Sequence, residues 1–419
     1  MPNYRAPGIY VEEVPGGARP IGAVGTSTAA FLGVAPDGGA RLNEAVAVNN
    51  WSDFLRIFAG QEDLASTPLA LSVYGFFANG GGRCYVVNVG PGNPIAGGGR
   101  RRSGIDLLDA IDDISIVAAP AQADPASWEA LLGHCERLGD RMAILDPPAG
   151  QHDVDALIKV ATPTAGGGGR RGGGAAAERE AGAEAEPAEA ETPAPLDGGR
   201  PRQSDYGALY FPWLRAYDPL SGEVVDTPPS GHLAGVWART DTERGVHKAP
   251  ANQPIAGGVV DLAYRVTRQE QEVLNPAGVN CIRFFPETGI RVWGARTLAA
   301  EASESRYLNV RRLMNMLKES IAEGTRWIVF EPNDAFLWGS INREISNFLT
   351  RVWRDGALFG RTARQAFFVK CDEETNPPEV RDAGEVVVLI GVAPVKPAEF
   401  VVFKISQSMA GTQTERMEG

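Results

Sequence analysis

The chain has 419 residues, is 43% hydrophobic and carries a formal net charge of −12. That length exceeds one simple core and predicts two or three domains, while the acidic balance argues against nucleic acid as the main partner, because phosphate binding needs a basic surface. The N-terminus lacks a basic stretch followed by an apolar one, so no signal peptide is expected. No apolar run reaches membrane-spanning length, so no direct membrane insertion is expected. Cys84, Cys135, Cys281 and Cys371 lie too far apart for a CxxC metal site or a disulfide framework. They read as reduced, buried thiols of a cytoplasmic chain.

In chain order, residues 1–20 form an arm. Ile9, Tyr10, Val11, Glu12 and Val14 lie in a weakly alternating run between Pro7-Gly8 and Pro15-Gly16-Gly17. This is a short strand on hinges, and a lone strand must add to a sheet in this subunit or another. From residue 29, strands at 29–34, 44–48, 83–89, 114–119 and 141–145 alternate with helices at 51–58, 68–77, 105–111, 125–138 and 154–160. That alternation predicts an α/β layer with parallel strands.

Residues 163–203 are mostly Gly, Ala, Glu, Pro and Arg, with Leu196 the one large aliphatic. Such a segment cannot bury enough apolar area to offset an ordering cost of roughly 1–2 kcal/mol per residue, and it reads as a disordered insertion. Beyond it, strands are expected at 206–213, 259–264, 281–285 and 290–293, and a helix at 230–238 with Ser230 as its N-cap.

The last third predicts an α+β core. A helix at 305–321 buries Tyr307, Val310, Met314, Leu317 and Ile321, and Gly324 closes it. A second helix at 335–353 buries Ile341, Ile345, Phe348, Leu349 and Val352. Strands are expected at 326–330, 365–370, 385–392 and 399–406, the last including Phe400, Val401, Val402, Phe403 and Ile405. On the second helix Arg343, Asn347, Arg351 and Arg354 recur at i, i+4, i+8 and i+11, opposite the apolar stripe. This basic face suits either solvent or an acidic partner.

Catalytic constellations are not convincing. Gly97-Gly98-Gly99-Arg100 lacks the Lys-Ser or Lys-Thr of a P-loop and reads as a surface loop. His134 and Cys135 are helix neighbours that project apart. Ser230, His232 and Asp241 could be drawn as a triad, but Ser230 lacks a GxSxG elbow. His247 reads as a loop tie. Asp106, Asp109, Asp112 and Asp113 read as a solvated face, with no second ligand set for a metal. No cofactor or metal is expected. The alternatives left standing are an α/β-fold, hydrolase-like enzyme and a monomeric binding module.

The densest signal runs from Ser230 to Leu298. It comprises SGHLAGVWARTDTERGVHKAPANQPI, then LNPAGVNCIRFF, then GIRVWGARTL. Its glycines and prolines permit close backbone approach and fix turns. These segments resemble the phage tail sheath family, the contractile sleeve of phage tails and bacterial contractile injection systems. The resemblance spans nearly all of the chain outside 163–203. It implies an outer α/β domain (21–285) inserted into an inner α+β sheath domain (286–419), the latter completed by the N-terminal arm. It implies stacked hexameric rings around an inner tube, with baseplate and terminal cap proteins as further partners. Terminal strands would be exchanged between subunits, and the basic helix face would meet the tube or a neighbour.

Overall fold

The computed structural model describes residues 20–60, 66–98, 101–161 and 198–400. The expected strand at 9–14, residues 401–406 of the expected terminal strand, and most of the expected insertion lie outside them.

The first elements are β1 (Ala29–Gly33), β2 (Ala45–Val48), α1 (Trp51–Phe58), α2 (Pro68–Ala78) and β3 (Cys84–Asn88). A 3-10 helix at Gly104–Ala110, β4 (Ile116–Ala118), α3 (Pro125–Leu138), β5 (Met142–Leu145) and α4 (Val154–Ile158) follow. Next come β6 (Gly207–Phe211), β7 (Leu214–Tyr217), β8 (Val224–Thr227), α5 (Pro229–Arg244), β9 (Val259–Leu262), α6 (Arg268–Leu274), β10 (Val279–Phe285) and β11 (Gly289–Val292).

One eight-stranded sheet runs in the order β11-β10-β6-β5-β4-β1-β3-β2. The six inner strands are parallel, and the edge strands β2 and β11 are antiparallel to their neighbours. Both faces are covered, which explains the unbroken apolar runs of the inner strands. Phe31, Met142, Ile144 and Tyr210 pack under α1, α2 and α5. Leu32, Val117, Leu145 and Leu209 pack under α3 and the 3-10 helix. Strands β8-β7-β9 form a separate three-stranded sheet. The domain boundary expected after Phe285 falls inside the β10–β11 hairpin.

Helices α2 and α5 pack unusually closely. A Cβ at Gly231 would strike the Ser72 backbone, one at Gly235 would strike the Phe76 carbonyl, and one at Gly75 would enter the His232 ring. Glycines at these points allow the backbones to approach.

The C-terminal unit contains α7 (Leu308–Gly324), α8 (Ala335–Arg354), and the antiparallel pair β12 (Phe367–Lys370) and β13 (Leu389–Val392). Leu313, Leu317, Ile341, Ile345, Phe348 and Leu349 form its core, joined by Ile21 from the other end of the chain. Thus the segment from residue 20 packs with the C-terminal unit.

Several expectations need correction. The strand expected at 326–330 is a 3-10 turn at Arg326–Ile328, and Phe330 takes a left-handed φ of 72°. Among the described residues no strand pairs with it, so β-propensity has nothing to act on. The strand expected at 385–392 starts only at Leu389. Asn376 binds both the N–H and the carbonyl of Val387, at 2.7 and 3.1 Å, in place of ladder bonds. Ser230 is not a cap but lies inside α5, which Pro229 opens. Met314 and Ile321 are only partly buried. Instead α7 also buries Asn309, Arg312 and Asn315.

Candidate functional site

Two clusters of charged side chains hold the ends of the described chain, one on α7 and one just ahead of it. The N-terminal root comprises residues 20–26. Ile21 seats against Gly324, where a Cβ would lie 2.7 Å from Ile21 Cγ1. Val24 N–H donates to Ser320 Oγ at 3.0 Å. Arg351 on α8 donates to the Ile21 carbonyl. Arg312 closes the cluster. Its guanidinium binds Asp241 on α5 with two bonds of 2.9 and 2.5 Å and donates to the Thr26 carbonyl at 2.9 Å. Thr26 Oγ1 donates to Asp241 at 2.6 Å. The pair is 3% and 4% exposed, and Arg312 also stacks over Trp237, 4.7 Å from the ring centre. A buried ion pair is tolerable only with this fork geometry and satisfied remaining donors.

The C-terminal root is built around Glu399. Arg296, buried in the link between β11 and α7, donates to both its carboxylate oxygens at 2.8 and 2.7 Å. Asn275 Nδ2 donates at 2.8 Å and Tyr307 Oη at 3.3 Å. Arg296 Nη1 is satisfied by the Asn275 carbonyl at 3.0 Å. Asn280, fully buried, fixes the Arg296 backbone from both sides. Burial pushes the Glu399 pKa up, but hydrogen bonds from Arg296 and Asn275 and the Arg296 charge outweigh it. The carboxyl therefore sits below the usual carboxylate range. A groove of about 760 Å³ runs beside this root, lined by Arg268, Arg283, Arg306, Trp293, Tyr307 and Phe400 among others.

These two roots connect the segments that stood out in the sequence. Asp241 comes from ARTDTERG and Arg296 from WGARTL. Sequence reasoning singled out the segments but not these roles. The available signals were an arginine interrupting the apolar pattern of α7 and an acid at the head of the expected terminal strand. Glu399 itself lies on its own subunit, whereas Phe400 is 73% exposed.

The basic face of α8 is present. Arg343, Asn347, Arg351 and Arg354 are all exposed. Among the described residues none enters a salt bridge. Arg343 donates to Ser340 Oγ at 3.3 Å, and Arg351 is engaged by the N-terminal root. Phe336 at the start of α8 and Phe330 just before it are 82% and 102% exposed.

The imagined triad is taken apart. Ser230 Oγ donates to Asp146 at 2.7 Å, His232 is buried against Gly75, and Asp241 belongs to Arg312. Burial raises the Asp146 pKa to about 6, although bonds from Ser230 and Ala121 pull the other way. Burial also lowers the His232 pKa to about 4. Asp109 pairs with Arg137 at 2.9 Å. The four cysteines are free and buried, and burial raises the Cys281 pKa to about 12. His247 ties a loop through its carbonyl, which accepts from Asn309 at 2.8 Å. Among the described residues there is no group of three His, Cys, Asp or Glu placed to hold a metal, and no helix is long and apolar enough to cross a membrane.

Comparison with known proteins gives one consistent result. Residues 202–298 match the family model for the phage tail sheath protein central domain, and residues 301–408 match that for the phage tail sheath C-terminal domain. The tail sheath protein of Vibrio phage KVP40 is 33% identical over 187 residues, which is 44% of this chain but 27% of that protein. Against the tail sheath protein of Salmonella phage ViI the aligned share is 30% of the relative. The chain thus spans less than a third of these relatives' length. Solved structures match far more completely. The contracted sheath complex of the extracellular contractile injection system PVC is 28% identical with a TM-score of 0.73, covering 97% of this chain and 99% of that one. The contracted helical sheath of the anti-feeding prophage is 28% identical with a TM-score of 0.72, covering 97% of this chain and all of that one.

Proposed function

The chain belongs to the phage tail sheath family, and from that premise we propose that it is the contractile sheath subunit of an injection particle. Its copies stack as hexameric rings around an inner tube, and shortening of the sheath drives the tube through a target envelope. The observation that carries this reading is the match along 97% of the chain to contracted sheaths of two injection systems. Matches to phage relatives cover much less of those proteins, so the reading favours a tail-like injector over a phage virion. The inner tube, baseplate and cap proteins are its partners.

Geometry supports the same role. Among the described residues the pair β12–β13 forms a sheet of two strands, which is marginal without further strands. It exposes Phe368 and Leu389. A neighbour's arm at 9–14 and terminal strand at 401–406 would complete it by strand addition, which supplies directional main-chain bonds. Arg343, Asn347 and Arg354 then face the tube or a neighbour. The inner sheath domain comprises the C-terminal unit and the arm, and the doubly wound sheet is the outer domain. No chemistry is assigned to the chain. Elongated tubes or rings in electron micrographs of the purified chain would support this function. Monodisperse monomers, with or without added tube protein, would refute it.

A further inference from the structure

From β13 onward the chain is held by main-chain bonds. Phe359 N–H donates to Ala393 and Val395 N–H to Ala357, at 2.7 and 3.1 Å, and Asn309 reaches the Val395 carbonyl at 3.2 Å. Past Val395 this stops. Among the described residues, every hydrogen bond made by 396–400 is made by one side chain, that of Glu399. Its partners come from three places: Asn275 after α6, Arg296 after β11 and Tyr307 before α7. Arg296 is itself locked by Asn280 and by the Asn275 carbonyl. A bidentate guanidinium–carboxylate pair fixes direction as well as distance.

We propose that Glu399 is a positioning residue, a single charged peg that sets where and in which direction the C-terminal segment leaves its subunit. This rests on the strand-exchange reading and adds to it. The donated strand is not on a free tether but starts from a fixed point at the rim of the arginine-lined groove. A tether with a fixed origin reaches one neighbour site at higher effective concentration than a loose one.

The test places nitroxide labels at Asn347→Cys and Phe400→Cys in the full chain, since all four native thiols are buried. The distance distribution is measured by pulsed electron resonance in the unassembled subunit. The parent should give one narrow population, and Glu399→Ala should lose it. Glu399→Gln, which keeps the shape, should broaden it less, and Arg296→Ala should match Glu399→Ala. Local opening should rise on the order of tenfold or more when charged hydrogen bonds are lost. An unchanged narrow distance in a folded Glu399→Ala or Glu399→Gln subunit overturns the peg. A parallel truncation after Phe400 separates this result from the exchange reading. If the truncated chain still forms sheath, strand exchange fails whatever the labels report. If truncation blocks assembly while Glu399→Ala assembles with a narrow distance, exchange stands and the peg fails.

Discussion

The two roots solve one problem with different amounts of material. The N-terminal root spreads its hold over α5, α7 and α8, combining a sealed ion pair with an apolar plug, Ile21. The C-terminal root depends on one carboxylate that is 20% exposed. Burial makes the difference. A charge sealed from water cannot be released cheaply, because its partner would be left unpaired in a low-dielectric interior. Glu399 is partly wetted, so water can replace some of its bonds on release, but Arg296, only 4% exposed, would then be left without its counter-ion. The N-terminal root is therefore a permanent joint between the sheet and the helical unit. The C-terminal root is the weaker of the two, because one of its two charges reaches water.

The comparison can be broken most severely at Arg312. Arg312→Ala leaves Asp241 buried without its counter-ion and should cost about 3–5 kcal/mol of stability. Urea unfolding should show it as a lower midpoint together with poor soluble yield. Glu399→Ala should cost less, about 1–3 kcal/mol and only locally. Global unfolding should hardly move, while hydrogen exchange near residues 396–400 rises. Equal effects from the two changes would erase the distinction between the joints.

Acidity sharpens the contrast further, because the roots should respond in opposite directions. Glu319 lines the small gap beneath Val24 and Thr26. It is pushed up to about 7, first by burial and then by the Asp140 charge, with Glu323 and Asp112 adding and Arg141 opposing. Its folded form takes up a proton before the unfolded chain does. Falling pH from about 7 to about 4.5 should thus firm the N-terminal root. Glu399 is held below the ordinary range, so its contribution stays complete at neutral pH and is lost only in stronger acid. Hydrogen exchange corrected for intrinsic rate should slow at residues 20–26 between neutral and mildly acid pH. The C-terminal label distance should broaden only at lower pH.

The smallest stability effect belongs to the α8 face. Arg343→Glu with Arg354→Glu should change monomer stability by about 1 kcal/mol or less, as for exposed charges generally, yet reduce assembly on tube protein. Arg351→Glu should additionally loosen residues 20–26 by removing its bond to the Ile21 carbonyl. Counting particles by microscopy alongside exchange at 20–26 separates the two roles.

Much of the fold was legible because its signals are local. Asn50, Asp124 and Asp334 cap α1, α3 and α8 with their own side chains, so those helices begin where the sequence says. The inner strands announce themselves by apolar runs that only two-sided burial explains. The roots were not legible, because their partners are distant. Arg312 and Asp241 are 71 positions apart, and Arg296 and Glu399 are 103 apart. Glu399 stands at the head of the expected terminal strand, but nothing local names its partner. The turn at Arg326–Ile328 differs from expectation for the opposite reason, since among the described residues no strand pairs with its β-favouring residues.

The central claim is that fixed roots feed arms into neighbours. Cryo-electron microscopy of the assembled tube at side-chain resolution tests it most directly. The account predicts that Arg312–Asp241 and Arg296–Glu399 stay paired within each subunit, while residues 9–14 and 401–406 pair with the β12–β13 sheet of another. Arms folded back onto their own β12–β13 sheet, or a Glu399 carboxylate released from Arg296 in every subunit, would contradict it.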